Sequence, residues 1–142
     1  MDETTLREII VEQAPDAIMY ADRDGIIRLW NKGAERIFAV AKAQALGRSL
    51  DLIIPERLRE RHWQGYHKTM ATGETRYGHE LLRVPALKGD GGQFSSEFSI
   101  VLVQDESGRP LGVAAILRDV SAQWQREKEL KERIAALESE LK

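Results

Sequence analysis

One stretch of the chain combines a residue able to do chemistry with a regular spacing. Residues 53–70 read IIPERLRERHWQGYHKTM, in which Pro55 suits the first turn of a helix because its missing N–H costs nothing there. The apolar and aromatic side chains then recur every four residues and share one helical face: Leu58, His62, Tyr66 and Met70. The imidazole of His62 can exchange protons or ligate a metal. The same spacing also describes a half-buried histidine whose second nitrogen meets water or a carbonyl.

The composition narrows the chemistry and the partners that we expect. A chain of 142 residues fits one domain with a terminal extension, large enough to enclose a core and an internal pocket. The absence of cysteine rules out disulfides, thiolate metal sites, cysteine nucleophiles and photochemistry that bonds a chromophore to cysteine. The net charge of −2, with both signs interspersed, does not favour a nucleic-acid surface. Without a membrane-length apolar run or a secretory leader, we expect a cytoplasmic domain with no membrane partner.

The chain opens with a predicted helix and a predicted hairpin. Residues 2–14 carry a capping-box pattern that begins at Thr5, together with a narrow apolar face, and Pro15 ends this helix. Residues 17–21 and 26–30 are apolar and β-prone, and the turn between them is rich in aspartate and glycine. This pattern predicts an antiparallel pair of strands.

Short helices lead from the hairpin to the central helix. Residues 33–38 form the first, with Asn31 as its cap, and residues 42–46 form the second. Gly47 closes the second helix in a left-handed conformation. The central helix then runs until Gly73.

The second half of the chain changes to the two-residue period of strands. Residues 77–84 predict a strand whose end is disturbed by Pro85, which indicates an edge strand or a bulge. Residues 94–103 alternate, with Phe94, Ser96, Phe98, Ile100 and Leu102 on one face. Residues 111–120 supply the last strand. The order of two strands, several helices and three strands predicts an α+β fold, in which helices cover one face of a five-stranded antiparallel sheet.

Residues 121–142 differ in kind from the rest of the chain. They predict a highly charged helix with a narrow apolar seam, spaced as in a coiled coil: Leu130, Ile134, Leu137 and Leu141. A solvated helix that lies back on its own domain would show the same pattern. We therefore divide the chain into a flanking helix at 1–14, a core at 15–120 and a C-terminal helix at 121–142.

Short motifs mark the boundaries of these elements. They are Ala14-Pro15-Asp16-Ala17-Ile18, Asp24-Gly25-Ile26-Ile27, the run from Trp30 to Phe38, Ala45-Leu46-Gly47, Asp90-Gly91, Gly112 and Arg118-Asp119-Val120-Ser121. With these motifs, residues 14–122 resemble a PAS domain, the sensory module of bacterial signalling proteins. The resemblance implies the PAS fold, but that fold hosts haem, flavins, organic acids or no ligand at all.

The central helix is similar to its counterpart in one PAS subfamily. Residues 54–57, Arg61-His62 and Tyr66 resemble the helix of the haem-PAS oxygen sensors, which include nitrogen-fixation histidine kinases and the haem-regulated cyclic-di-GMP phosphodiesterase. In that subfamily the histidine at the place of His62 is the proximal ligand of the haem iron. The resemblance therefore implies that His62 binds the iron of haem b, and an apolar, aromatic slot suits the flat macrocycle.

The chain departs from that subfamily on the opposite, distal side. Counting back from Asp90-Gly91, the arginine that stabilises bound oxygen in the subfamily falls on Leu82. Arg83 and His79 are close in sequence, and a one-residue slip at Pro85 would turn either of them inward. If the simple register holds, we expect oxygen to be held weakly.

Other residues complete the expected cofactor-binding set. Phe98 and Ile100 match the apolar distal wall, and His79 is the candidate sixth ligand. His67 is expected at the surface, because positions five apart on a helix diverge. The whole set lies on the central helix and the sheet: His62, Leu58, Tyr66, Met70, Leu82, Phe98, Ile100 and His79.

Two functions remain open from the sequence. The first is a haem-based sensor of a diatomic gas or of redox state, whose C-terminal helix relays the signal. The second is a PAS domain without haem, which acts as a dimerisation and relay module or binds a flavin or small metabolite near Trp30, Trp63 and Phe98. An enzyme is not favoured, because no spacing typical of a nucleophile elbow, a phosphate loop or a metal pair occurs.

The exposed apolar patterns predict partners. We expect a homodimer that forms through residues 2–14 and 124–142. Because the C-terminal seam stops in mid-pattern, we also expect a longer protein with an output domain, such as a histidine kinase or a cyclic-di-GMP enzyme.

Overall fold

A five-stranded sheet with helices on one face is the framework of the chain in the computed structural model, which describes residues 1–75 and 80–141. The strands are β1 (Ala17–Asp22), β2 (Ile27–Trp30), β3 (Leu82–Leu87), β4 (Gln93–Gln104) and β5 (Pro110–Asp119). The helices are α1 (Glu3–Gln13), α2 (Lys32–Phe38), α3 (Lys42–Ala45), α4 (Glu56–Thr72) and α5 (Ser121–Glu140), and a 3₁₀ turn at Leu50–Ile53 precedes α4. This architecture confirms the α+β fold predicted from the sequence.

The strands lie in the order β2-β1-β5-β4-β3, and every neighbouring pair is antiparallel. Hairpins join β1 to β2, β3 to β4 and β4 to β5. The remaining connection, from β2 to β3, carries α2, α3 and α4 from one edge of the sheet to the other. The three helices therefore share one face, which we call the inner face.

The register decides which side chains point inward. Ala17 pairs with Leu117 and Leu117 pairs with Phe98, so these three residues lie in one row. The next inward row joins Met19 and Ile100 through their common partner on β5. Phe98 and Ile100 thus occupy the face that the alternation of residues 94–103 predicts.

Aromatic side chains fill the space between the inner face and the helices. Trp30 and Phe38 are almost fully buried, with ring centroids 5.1 Å apart, and Phe38 meets Phe94 edge-on at 5.4 Å. The indole N–H of Trp30 donates to the carbonyl of Val40 at 3.0 Å, so the one polar atom of this ring is satisfied.

Asn31 ties the N-terminal helix to the sheet. Its side-chain oxygen accepts from the backbone N–H of Ile18 at 2.8 Å and of Ala34 at 2.9 Å, and the second bond confirms the predicted helix cap. Its amide nitrogen donates to the carbonyls of Val11 at 2.8 Å and Asp16 at 3.0 Å. This buried side chain therefore joins α1, β1 and α2.

Two local predictions are wrong. The sequence predicts the third strand at 77–84, of which residues 77–79 lie outside the described residues, whereas β3 runs from Leu82 to Leu87 and includes Pro85. Its predicted position at an edge of the sheet is confirmed. Because β3 is an edge strand, a residue without an N–H is tolerated there. The other correction concerns α1, whose cap is Asp2, which accepts from the N–H of Thr5 at 2.7 Å, and not a capping box that begins at Thr5.

The two flanking helices keep their apolar residues exposed. Neither α1 nor the described part of α5 contains a buried residue. The large apolar side chains exposed on α1 are Leu6, Ile9 and Ile10, and those exposed on α5 and at its C-cap are Trp124, Leu130, Ile134, Leu137 and Leu141. Within the described residues, no helix has the length and the apolar character needed to cross a membrane.

Candidate functional site

Helix α4 begins and ends where the local sequence predicts. Pro55 takes the N-cap position, and Gly73 ends the helix with a positive φ of 72°, a conformation that glycine adopts without strain. Glu56 lies in the first turn, where a carboxylate opposes the positive end of the helix dipole. These signals fix the helix length and hence the direction of the face on which His62 lies.

The predicted face of α4 points into the protein. Tyr66 and Met70 are buried in the core, and Leu58 and His62 are half-buried nearer the start of the helix. His67 is exposed, as expected for a position five residues from His62. The burial therefore increases along this face from the first turn to the last.

His62 is the half-buried histidine of this helix, and its Nδ1 atom has no hydrogen-bond partner although it is shielded from solvent. Its ring contacts Trp63 edge-on, with centroids 4.7 Å apart, and lies 5.7 Å from the ring of Tyr66. Burial lowers the pKa of His62 below its ordinary value, and this outweighs the nearby carboxylate of Asp51, which raises it. The imidazole is therefore neutral at neutral pH, which is the form that ligates metals.

Trp63 attaches the start of α4 to two neighbouring segments. Its indole N–H donates to a carboxylate oxygen of Asp51 at 2.7 Å, in the 3₁₀ turn. Its ring packs on Gly25, in the turn between β1 and β2. Arg59 adds two bonds, to the carbonyls of Ile54 at 3.0 Å and Asp51 at 3.2 Å. These contacts fix the orientation of the turn that carries His62.

Tyr66 attaches the middle of α4 to the end of β1. Its hydroxyl lies 2.5 Å from the carbonyl of Asp22 and 3.1 Å from that of Ala21. Burial, reinforced by the charge of Asp22, raises the pKa of the Tyr66 phenol above its ordinary value. The group is therefore a fixed hydrogen-bond donor that spaces the helix from the sheet.

The last turn of α4 is held by Arg23, from the same β1–β2 turn. Its guanidinium donates to the carbonyl of Met70 at 3.4 Å and to the carbonyl of Pro110 at the start of β5. Sequence patterns gave no signal for Asp51, Trp63 or Arg23 as positioning residues, because each pairs with a group distant in sequence.

The inner face of the sheet is only partly covered. Phe94, Ser96 and Leu117 are buried, whereas a neighbouring group of apolar side chains on β4 and β5 is half-buried: Phe98, Ile100, Leu102, Val113 and Ala115. Half-buried apolar side chains gain burial when a flat apolar ligand covers them. This part of the sheet suits such a ligand.

Leu82 belongs to the same inner face. It pairs with Phe98 across β3 and β4, and cross-strand partners point to the same side of a sheet. Arg83 pairs with Glu97 and so points to the other side, where its guanidinium bonds Glu97 at 2.9 Å. The simple register therefore holds for these two residues, and no slip at Pro85 turns Arg83 inward. His79 lies outside the described residues.

A groove of about 540 Å³ lies between α1 and β2. Trp30, which was named for the flavin or metabolite alternative, lines it, but none of the residues predicted to bind haem does. Residues 1–75 and 80–141 contain no group of three or more histidine, aspartate or glutamate side chains that could together hold a metal ion.

The chain matches a known protein family over most of its length. Residues 11–125 match the family described as PAS fold. The chain belongs to this family. The structure also overlays on a solved PAS domain from Colwellia psychrerythraea with a TM-score of 0.74 and 24% sequence identity. The overlay covers 85% of this chain and 99% of that one.

Two curated relatives are similar in sequence to this PAS domain. One is an uncharacterized protein of Azorhizobium caulinodans, 35% identical over 116 residues, which are 81% of this chain. The other is Sensor protein FixL of Bradyrhizobium diazoefficiens, 31% identical over 139 residues, which are 98% of this chain. The matches span 16% and 26% of those proteins, so this PAS domain corresponds to a small part of each.

Proposed function

We propose that this PAS domain is a sensor that binds haem b through His62 and responds to a diatomic gas or to redox state. The observation that carries the proposal is the shielded Nδ1 atom of His62, which lacks a hydrogen-bond partner. Such an atom costs free energy in a folded protein unless another interaction compensates. A bond from Nδ1 to a metal, with the other ring nitrogen hydrogen-bonded, would compensate for the missing hydrogen bond.

The surroundings of His62 fit the requirements of a haem. The neutral imidazole lies beside Trp63 and Tyr66, and the half-buried apolar residues of β4 and β5 supply a surface that a macrocycle would cover. Haem, when bound, would supply an iron that takes up a diatomic gas or changes its oxidation state. The resemblance of α4 to the haem-PAS oxygen sensors and the similarity to Sensor protein FixL support the same assignment.

The roles of the other site residues follow from their positions. Leu58, Tyr66 and Met70 would line the side of the haem that faces α4, and Leu82, Phe98 and Ile100 the side that faces the sheet. Leu82 offers no hydrogen bond to a polar ligand, so the domain would hold dioxygen weakly and carbon monoxide or nitric oxide more tightly. His79 is the candidate for a sixth ligand.

Assembly is part of the proposal. The exposed apolar residues of α1 and α5 would pair with those of a second copy, so that the dimer forms through residues 2–14 and 124–142. In a longer protein of the size of its curated relatives, α5 would pass the signal to an output domain such as a histidine kinase or a cyclic-di-GMP enzyme.

One absorption spectrum tests the proposal. The purified chain is reconstituted with haemin, freed of excess haemin, and examined in the oxidised and the reduced state. We expect a Soret band at one haem per chain that shifts on reduction and again on addition of carbon monoxide. Flavin absorption of the protein as purified would identify the alternative, a PAS domain that binds a flavin. Absence of both would support a haem-free dimerisation and relay module.

A further inference from the structure

The ion pairs of Arg83 connect the sheet to the C-terminal helix. Its Nε atom lies 2.9 Å from a carboxylate oxygen of Glu97 on β4, and its Nη1 atom lies 3.3 Å from one of Glu127 on α5. Glu97 is well shielded, with 15% of its side chain exposed, and so holds the guanidinium in place. Three elements, β3, β4 and α5, therefore meet at this one residue.

The start of α5 is fixed to the sheet by two hydrogen bonds with the backbone of Ser95. Val120 donates to the carbonyl of Ser95 at 2.8 Å, and the hydroxyl of Ser121 accepts from the N–H of Ser95 at 2.9 Å. Beyond Ser121, the pair between Arg83 and Glu127 is the one hydrogen bond or ion pair that joins α5 to the sheet within the described residues. It is therefore the polar contact through which the sheet can influence the direction of α5 beyond its first turn.

Glu127 also lies on the apolar seam of α5. It precedes Leu130 by three residues and Ile134 by seven, and these spacings place all three side chains on one stripe of the helix. In a parallel pair of α5 helices, two Glu127 carboxylates would approach each other where the seam begins. Arg83 offsets this repulsion by supplying each carboxylate with a positive partner.

Arg83 follows Leu82 in β3, so a shift of this edge strand reaches both faces of the sheet. Leu82 points to the half-covered inner face, while Arg83 points to α5. We propose that Arg83 is a latch, a positioning residue that holds α5 against the sheet through Glu127 and releases it when β3 moves. The direction of the signal rests on the sensory function proposed above, whereas the latch itself is a property of the ligand-free chain.

The ion pair between Arg83 and Glu127 is weak enough for a small change in free energy to break it. Arg83 and Glu127 are exposed over 46% and 42% of their side chains, and such pairs contribute little to stability and are screened by salt. A contact of this strength would allow a modest event at the inner face to change the population of the released helix.

Distance measurement between two spin labels tests the latch. Because the chain has no cysteine, labels can be placed at Lys32→Cys on α2 and Arg133→Cys on α5 without removing a native residue of that kind. The background carries Ile134→Lys, and the labelled chain is diluted with an excess of unlabelled chain, so that pairs of labels on different chains do not contribute to the measured distances. We expect Glu127→Gln to widen the distance distribution at least about twofold, and Glu132→Gln, at an exposed position of α5, to leave it unchanged.

Salt dependence and amide exchange complete the test. Raising the salt to about 1 M should widen the distribution of the parent chain but not that of Glu127→Gln, in which no charge pair remains to be screened. Because coupling is reciprocal, Glu127→Gln should also raise hydrogen exchange in β3 about two- to fivefold, with β1 unaffected. Identical distributions and exchange rates for Glu127→Gln and Glu132→Gln would overturn the latch. That result would leave the haem assignment untouched, since no step of this test uses haem.

Discussion

The indole ring of Trp63 lies on the backbone of Gly25. A Cβ atom placed at residue 25 would fall 2.1 Å from Cη2 of the ring, closer than any real contact. Gly25 also has a positive φ of 74°, which a side chain disfavours. The turn between β1 and β2 therefore needs glycine for two reasons. One is the positive φ of residue 25, and the other is the contact with Trp63, which positions the helix that carries His62.

We expect Gly25→Ala to destabilise the protein by roughly 2–5 kcal/mol, the sum of backbone strain and a displaced ring. Gly47→Ala is the matched control for strain alone, because Gly47 has a φ of 86° and open space around its Cα; we expect a loss of about 1 kcal/mol. Gly65→Ala, inside α4 and facing open space, should stabilise by about 0.5–1 kcal/mol. Urea unfolding measures all three, and equal costs for Gly25→Ala and Gly47→Ala would show that Trp63 does not depend on Gly25.

Asn31→Ala should destabilise the domain by roughly 2–4 kcal/mol. The substitution removes a helix cap and leaves the N–H of Ile18 and the carbonyls of Val11 and Asp16 without partners. Asn31→Asp keeps the acceptor but turns a carboxylate towards those carbonyls, so it should also destabilise. Lys32→Ala, at the next and exposed position, is the control. A loss below about 1 kcal/mol for Asn31→Ala in chemical denaturation would be inconsistent with this network.

Parts of this structure follow from sequence patterns, and others do not. The four-residue period of α4 and the alternation in β4 were sufficient to predict which sides face the core, because burial imposes those periods. The bounds of β3 could not be predicted, since Pro85 disfavours a central strand but not an edge strand, and the sequence does not give the strand order.

The candidate site, too, could be predicted from the sequence only in part. Placement of His62 on an inward face follows from local spacing, but the bond between Trp63 and Asp51 joins residues whose helix and turn meet only in the folded chain. Leu82 and Arg83 are neighbours in sequence, and only the pairing of β3 with β4 decides which of them points inward.

Haem binding should depend on His62 and not on His67. His62→Ala is expected to abolish stoichiometric haem binding and to leave the fold intact, because it removes the proposed iron ligand from a half-buried position. His67→Ala, an exposed histidine of the same helix, should bind haem as the parent chain does. Haemin titration followed at the Soret band, with far-ultraviolet circular dichroism as the check of folding, makes the comparison. Unchanged haem affinity in His62→Ala would disprove the assignment and make His79 the next ligand to test.

Leu82 should limit the affinity for oxygen. Haem, when bound, would supply an iron for dioxygen, a polar ligand that a neighbouring hydrogen-bond donor stabilises and a leucine does not. We therefore expect Leu82→Arg to slow oxygen dissociation by about tenfold and to change carbon monoxide binding much less. Flash photolysis of the haem-loaded protein measures both rates. Slow oxygen dissociation already present in the parent chain would mean that a donor other than residue 82 acts there.

The dimer should depend on the seam of α5 and on α1. Ile134 has 54% of its surface exposed in the single chain, and a lysine in its place would put a charge into a coiled-coil seam. We expect Ile134→Lys to weaken self-association roughly tenfold or more, since burial of such a side chain contributes about 1.5–3 kcal/mol in each copy. Ala135→Lys adds the same charge beside the seam and should have little effect.

Removal of residues 1–14 should weaken the dimer separately, because it deletes the exposed apolar face of Leu6, Ile9 and Ile10. Sedimentation equilibrium compares the four chains, and a parent chain that is monomeric at high micromolar concentration would contradict the dimer.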